Sequence, residues 1–191
     1  ALVAVQAELG PTHDELVRAR RDAAPSPAHL IGRARSRSPE LWERRLDDGD
    51  FLTVRIGLSN LPTNLSFRGG DTEGGEPAFA DRVNALRTEF EVDPDVPVDV
   101  DLRSLGVLGV TGPAEERAAL LRWLVLQPAT LDSPRDLGIV VIAPPDETAL
   151  WDWTKWLPHT QTMVAGLPGA RTVASDPEDI RVVFQIIDDL I

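Results

Sequence analysis

Residues 105–126, LGVLGVTGPAEERAALLRWLVL, join an apolar run, a glycine turn and an amphipathic helical stretch. An apolar run of strand length that feeds straight into a helix belongs to a parallel sheet buried on both faces. The turn has the spacing of a phosphate-binding loop, G-x-x-x-x-G-K-[ST]. In such a loop backbone amides cradle phosphates, the Lys reaches the outer ones and the hydroxyl holds magnesium. Here Gly109 opens the spacing, and Thr111 and Gly112 lie in the turn. Ala114 stands at the closing Gly, Glu115 at the Lys and Glu116 at the Ser/Thr. The only lysine in the chain is Lys155. Unit charges ~4 Å apart at an effective dielectric near 20 interact by about 4 kcal/mol, and Lys replaced by Glu reverses the sign. The expectation is a nucleotide-binding fold that does not hydrolyse nucleotide and has no catalytic residue of its own.

The spacing predicts a strand over 106–110, a helix over 114–127, a connection from Pro128 to Pro134, and a second strand over 137–143 (LGIVVIA). Two parallel strands bracketing a helix make a right-handed crossover. At the C-terminal end VVFQIIDD (182–189) has the pattern of a Walker B strand, which would make Asp188 and Asp189 catalytic. Ser175 and Glu178, however, form a capping box with Pro177 in the first turn. Ile180, Val183, Phe184 and Ile187 then recur at helical spacing. The helix is the favoured assignment.

Composition excludes several classes. With 191 residues, 42% hydrophobic and 26% charged, the chain has the profile of a globular protein and can bury a sizeable core. A net charge of −12 argues against a general nucleic-acid binder, because phosphate neutralisation needs a basic face. There is no cysteine, hence no disulfide or thiolate site. His13, His29 and His159 are scattered, with no metal-ligand spacing. No apolar run of ~18 residues exists, so no membrane span is expected. The single Met is Met163, which reads as a segment of something longer.

Residues 12–23 read as a short helix with a Thr12/Glu15 capping box, and 28–45 as a basic helical stretch interrupted at Pro39. Residues 18–45 carry eight Arg, among them Arg33, Arg35 and Arg37, against Asp22, Glu40 and Glu43. This is either a solvated face or a juxtamembrane or docking segment. FLTVRIGL (51–58) is a period-2 strand with Leu52, Val54, Ile56 and Leu58 on one face. Residues 59–78, with Asp71, Glu73 and Glu76, read as a flexible loop. A helix over 78–90 carries Val83, Leu86 and Phe90 on one stripe. A proline turn then leads into an alternating strand, Val98, Val100 and Leu102 against Asp99, Asp101 and Arg103, read as a solvated edge. In DETALWDWTKWLPHT (146–160), Leu150, Trp153 and Leu157 fit a core stripe. The density of Trp151, Trp153 and Trp156 also fits a partner surface.

Taken in order, SPELWERRLDDGDFLTVRIGL, PVDVDLRSLGVLGVTGP, LRWLVL, SPRDLGIVVIAP and WDWTKWLPHT resemble the EccC family, the membrane-bound FtsK/SpoIIIE-type ATPases of actinobacterial type VII (ESX) secretion systems. The resemblance covers roughly residues 38–181. It corresponds to the segment between two N-terminal transmembrane helices and the first of three FtsK-like modules. It implies a P-loop NTPase-like (FtsK-like) α/β fold, a parallel sheet with helices on both faces, with an N-terminal helical stalk and a small β element. Residues 1–48 would be the stalk and 49–191 a degenerate ATPase-like domain. Gly109, Thr111 and Gly112 match the opening of the family's G-x-T-G-S-G-K-S loop, and Pro113 through Glu116 depart from it. Leu157-Pro158-His159 keeps the family's L-P-H, while Ala143-Pro144-Pro145-Asp146 replaces its D-F-K-G turn. The resemblance implies no cofactor in this domain, with ATP and Mg2+ belonging to the parent motor. The implied location is the cytoplasmic face of the plasma membrane. The implied partners are the ubiquitin-like domains of EccD, EccB, EccE and the adjacent ATPase modules. A weakly hydrolysing ATP-binding module, with Arg117 or Arg122 standing in for the lysine, is the alternative.

Overall fold

The computed structural model describes residues 2–65, 77–161 and 171–188. The chain divides into two units, Ala1–Pro25 with Arg55–Asp99, and Ser26–Val54 with Val100–Ile191.

In the first unit α1 (Leu2–Ala23) turns one stripe inward: His13, Val17 and, just past its end, Ala24 are buried, and Arg20 is half-buried. Their spacing of four, three and four residues is that of one helix face. The helix runs through Pro11, and the Thr12 hydroxyl donates to the Glu8 carbonyl. The expected Thr12/Glu15 capping box is therefore wrong: Thr12 is an interior residue bonding back one turn. β1 (Thr53–Pro62) pairs with β2 (Val92–Asp101), and α3 (Pro77–Glu89) lies between them in sequence. Val83 and Leu86 are half-buried and Phe90 is buried, as the stripe predicted.

β2 begins at Val92, so the segment read as a proline turn is already strand, with Asp95 at φ 49°. Nor is that strand simply a solvated edge, because Asp93 is 1% exposed. Asp93 Oδ1 lies 2.9 Å from His13 Nε2, and Oδ2 is paired with Arg20. Burial pushes the Asp93 carboxyl up, but hydrogen bonds from Arg20, Thr63 and His13 outweigh it and hold the group below its ordinary range.

In the second unit α2 (Pro27–Ser36) starts at Ser26, whose hydroxyl accepts from His29 N, with Pro27 at the first helical position. It buries Leu30 completely and stops at Arg37, which is left-handed at φ 50°. The basic helix thus ends before Pro39 rather than resuming after it. Trp42 and Leu52 are also left-handed, at φ 62° and 59°. From Trp42 to Arg44 the chain is bonded to the end of α5: Trp42 N donates to Thr130 O, Arg44 N to Leu131 O, and Ser133 N to Arg44 O. On β1 only Val54 of the expected apolar face is buried, while Ile56 and Leu58 are 38% and 52% exposed.

A short helix α4 (Leu102–Leu105), capped by Asp101, precedes α5 (Ala114–Leu131). α5 passes through Pro128, expected to lie in a connection. In the last turn a proline removes one amide bond without stopping the helix, and Asp132 N still donates to Pro128 O. No strand forms over 106–110. Leu105, Val107 and Leu108 are 52%, 87% and 38% exposed, and no neighbouring strand pairs with them among the described residues. An apolar run becomes a strand only when a partner supplies its ladder bonds.

The second strand is shorter than expected, β3 (Val141–Ile142). It pairs in parallel with β4 (Val173–Ala174) in the register Val141↔Val173 and Ile142↔Ala174. Between them come α6 (Thr148–Trp151) and three 3₁₀ turns, Pro145–Glu147, Asp152–Trp156 and Pro158–Thr160. The C-terminal segment is α7 (Pro177–Asp188), a helix as favoured, with Val183 and Ile186 buried. Its cap is Asp176, which accepts from Glu178 N and Asp179 N, not Ser175. Asp188 ends that helix. Asp189, Asp71, Glu73 and Glu76 lie outside the described residues. The architecture is mixed α/β, with two small two-stranded sheets among the described residues.

Candidate functional site

Gly109, Thr111 and Gly112 lead into the N-terminus of α5, and all three are exposed, as are Glu115 and Glu116. Gly112 has φ +140°, a conformation that L side chains rarely adopt. Pro113 is the N-cap and makes no side-chain cap, and the first helical bond runs from Arg117 N to Pro113 O. The amides of Ala114, Glu115 and Glu116 are thus the free donors of this helix end. Both glutamates lie in the first turn, where a carboxylate favours the positive pole of the helix by about 0.3–1 kcal/mol. They complement the charge that a phosphate would have complemented. Arg117 reaches back, with Nη1 3.4 Å from Gly112 O and Nη2 3.7 Å from Glu147 Oε1. Arg122 lies elsewhere on α5, half-buried.

The tryptophans do not form one patch. Trp153 and Trp151 are half-buried, whereas Trp156 is 80% exposed. Trp153 packs beside Trp123 and Leu126 of α5 and Pro27 and Ile31 of α2, lining a groove of about 440 Å3. A second groove of about 620 Å3 is lined by Arg37, Leu41, Trp42, Leu126 and Leu157 among others. Arg33 is tied to Glu40 and Glu43 at 2.9 and 3.0 Å. Arg35 is exposed and Arg37 sits on the second groove. Among the described residues no cluster of His, Asp and Glu could hold a metal ion. No helix there is long and apolar enough to cross a membrane.

A buried polar knot went unnoticed in the sequence. Asp132 is 1% exposed, His159 3% and Arg44 7%. Arg44 Nε pairs with Asp50 at 2.8 Å, and its Nη1 donates to Thr53 O. His159 Nε2 lies 2.9 Å from the Asp132 carbonyl. Asp132 Oδ2 and His159 Nδ1 have no hydrogen-bond partner. Burial pushes the Asp132 carboxyl up to about 6, against the pull of Arg44 and the Leu52 amide. Burial lowers the His159 ring, more than its bond to Asp132 raises it. The retained L-P-H was the one signal that could have pointed to His159.

No family model matches the chain. It is 35% identical over 126 residues, 64% of its length, to the ESX secretion system protein EccC of Thermomonospora curvata. Over 144 residues, 73% of its length, it is 31% identical to the ESX-3 secretion system protein EccC3 of Mycobacterium tuberculosis. The chain is homologous to part of EccC. A more distant relative, 28% identical over 127 residues, is the ESX secretion system protein YukB of Bacillus subtilis. The chain spans 10%, 11% and 8% of these three relatives' lengths. The resemblance to EccC read from the ordered sequence blocks is therefore borne out, over roughly two thirds of the chain.

Proposed function

We propose that this EccC-like chain is a non-catalytic connector of a type VII secretion motor, with a P-loop-type fold that has lost its nucleotide chemistry. Residues 1–48 are its membrane-side end and residues 49–191 its ATPase-like body, at the cytoplasmic face of the membrane. It links that end to ATPase modules and docks other subunits, the ubiquitin-like domains of EccD, EccB and EccE. The observation that carries the reading is the start of α5. Glu115 and Glu116 stand where a cation and a metal ligand are required, on an exposed turn whose cap residue, Pro113, has no amide to offer. The homology to EccC supplies the context. ATP and Mg2+ then act in the parent motor rather than here.

Calorimetric titration of the chain with Mg-ATP tests this. The expected result is no binding tighter than about 100 μM, roughly 5.5 kcal/mol. Tighter binding that Gly112→Trp abolishes would establish the second reading, a weakly hydrolysing ATP-binding module. One contact favours that alternative: Arg117, at 3.4 Å from Gly112 O, holds a guanidinium beside the turn.

A further inference from the structure

α1 carries three irregularities in a row. Gly10 is a poor helix former, and Pro11 follows it. Pro11 has no N–H to give to the Ala7 carbonyl, and its ring crowds that carbonyl and disfavours the helical conformation of the residue before it. Thr12 then donates its hydroxyl to Glu8 O at 2.9 Å, a back-bond of the kind that bends helices. Neither packing nor backbone calls for the glycine. A Cβ at Gly10 would meet no atom within 4 Å, and its φ is not positive.

The helix is held differently on the two sides of this point. From His13 onward, side chains fasten it to β1 and β2. His13 Nε2 lies 2.9 Å from Asp93 Oδ1, and Arg20 bonds Asp93 Oδ2 and donates to Pro62 O at 3.2 Å. Arg21 donates to Pro94 O at 2.8 Å and to Asp95 O at 3.2 Å. Val17 is buried, and Arg55 of β1 donates to Ala24 O just past the helix end. Before Gly10, Ala7 and Glu8 are exposed and Leu9 is half-buried. No hydrogen bond or ion pair joins residues 7–9 to another element among the described residues.

We propose that α1 is a jointed helix. Residues 12–23 form one body with β1 and β2, and residues 2–9 swing about Gly10–Pro11 as a lever of roughly 12 Å. Every bond that fastens the second half lies beyond the joint, so a bend changes the direction of the first half and leaves the fold behind it intact. The inference concerns α1 alone and is independent of the connector reading and of the loop at Gly112.

The test is a pair of distance measurements on the whole chain. It contains no cysteine, so spin labels attach only where cysteines are introduced. Double electron–electron resonance compares Val3→Cys with Ser59→Cys, across the joint, and Ala19→Cys with Ser59→Cys, within the fastened body. Ala19 and Ser59 are both exposed. The second pair is expected to give one narrow distance and the first a distribution roughly twice as wide. Gly10→Ala with Pro11→Ala should narrow the first to the width of the second, while an unchanged distance for the second pair shows that the body is still folded. In wild type the amides of residues 6–9 should exchange at least about tenfold more slowly than in an unstructured chain, because the lever stays helical. Equal widths for the two pairs in wild type mean a rigid kink. Undiminished width in the double variant puts the motion elsewhere, and unprotected amides mean that this end unravels instead of swinging. Each of these three results overturns the joint.

Discussion

The ring of His159 donates from Nε2 to the carbonyl oxygen of Asp132 at 2.9 Å, which makes Nδ1 the unprotonated nitrogen of a buried neutral imidazole. The carboxyl of the same Asp132 has an unpartnered oxygen and titrates near 6. The two groups oppose each other in their dependence on pH. For Asp132 the folded value lies above the unfolded one, so its contribution to stability is fully present below the unfolded value and is lost as pH rises toward 6. For His159 the folded value lies below the unfolded one, so stability falls as pH drops through the ordinary histidine range.

Asp132→Asn is therefore expected to stabilise the chain at pH 7.5, by about 1–3 kcal/mol for a shift of roughly two pH units. The gain should vanish near pH 4. Urea unfolding at both pH values reads this directly. With Asp132 removed, the variant's stability should decline on acidification below about pH 6.5, exposing the His159 dependence that the wild type masks. A variant with no gain at pH 7.5 would mean that Asp132 is not strained by its burial.

Asp93 is the reverse case, a buried carboxylate held charged by Arg20, Thr63 and His13. Asp93→Ala leaves Arg20 without its counter-ion and is expected to cost about 3–5 kcal/mol, the usual cost of breaking a buried pair. Hydrogen exchange should register the loss in α1 and β2 first. Because the folded value is depressed, the wild-type contribution should be present above about pH 4 and disappear on further acidification.

Val107→Asp should be nearly silent in the isolated chain, within about 0.5 kcal/mol by urea unfolding. The side chain is 87% exposed. A central strand of a parallel sheet would lose several times that, so a large effect would restore the strand expected over 106–110.

Returning Ala114 to Gly, Glu115 to Lys and Glu116 to Thr tests the ancestry of the turn. The triple variant is expected to gain measurable affinity for Mg-ATP, and adding Pro113→Ser, which restores an amide, to increase it further. No gain from either would mean that the G-x-T-G spacing is coincidental.

Elements whose partner is their own periodicity were legible in the sequence: α3, α7 and the alternating end of β2 all formed near where the pattern put them. What could not be read depended on segments far away in the chain. Asp93 lies in the segment read as a proline turn before a solvated edge, and its partner His13 stands eighty residues earlier in the chain. The run at 105–110 has the composition of a buried strand, but composition cannot supply the neighbour that would pair with it. Trp153 and Trp156 are three residues apart, one lining a groove and the other 80% exposed. The 3₁₀ turn at 152–156 breaks the helical spacing on which the core stripe was argued. The charges of Glu115 and Glu116 belong to the residues themselves and read the same in the sequence and in the fold, where both are exposed.

Arg37, Trp42 and Leu52 each hold a left-handed backbone that a glycine would adopt freely and that costs such residues of the order of 1–3 kcal/mol. They fence a stretch tied down by the bonds from Trp42 and Arg44 to the end of α5, by the Arg45–Asp136 ion pair, by Arg103 donating to Leu46 O and by buried Phe51. Releasing those bonds lets three unfavourable torsions relax together, so this stretch should open before the elements around it. Trypsin would then make its first cut in this unit at Arg44 or Arg45, and the order of fragments in a timed digest would record the sequence in which the fold comes apart.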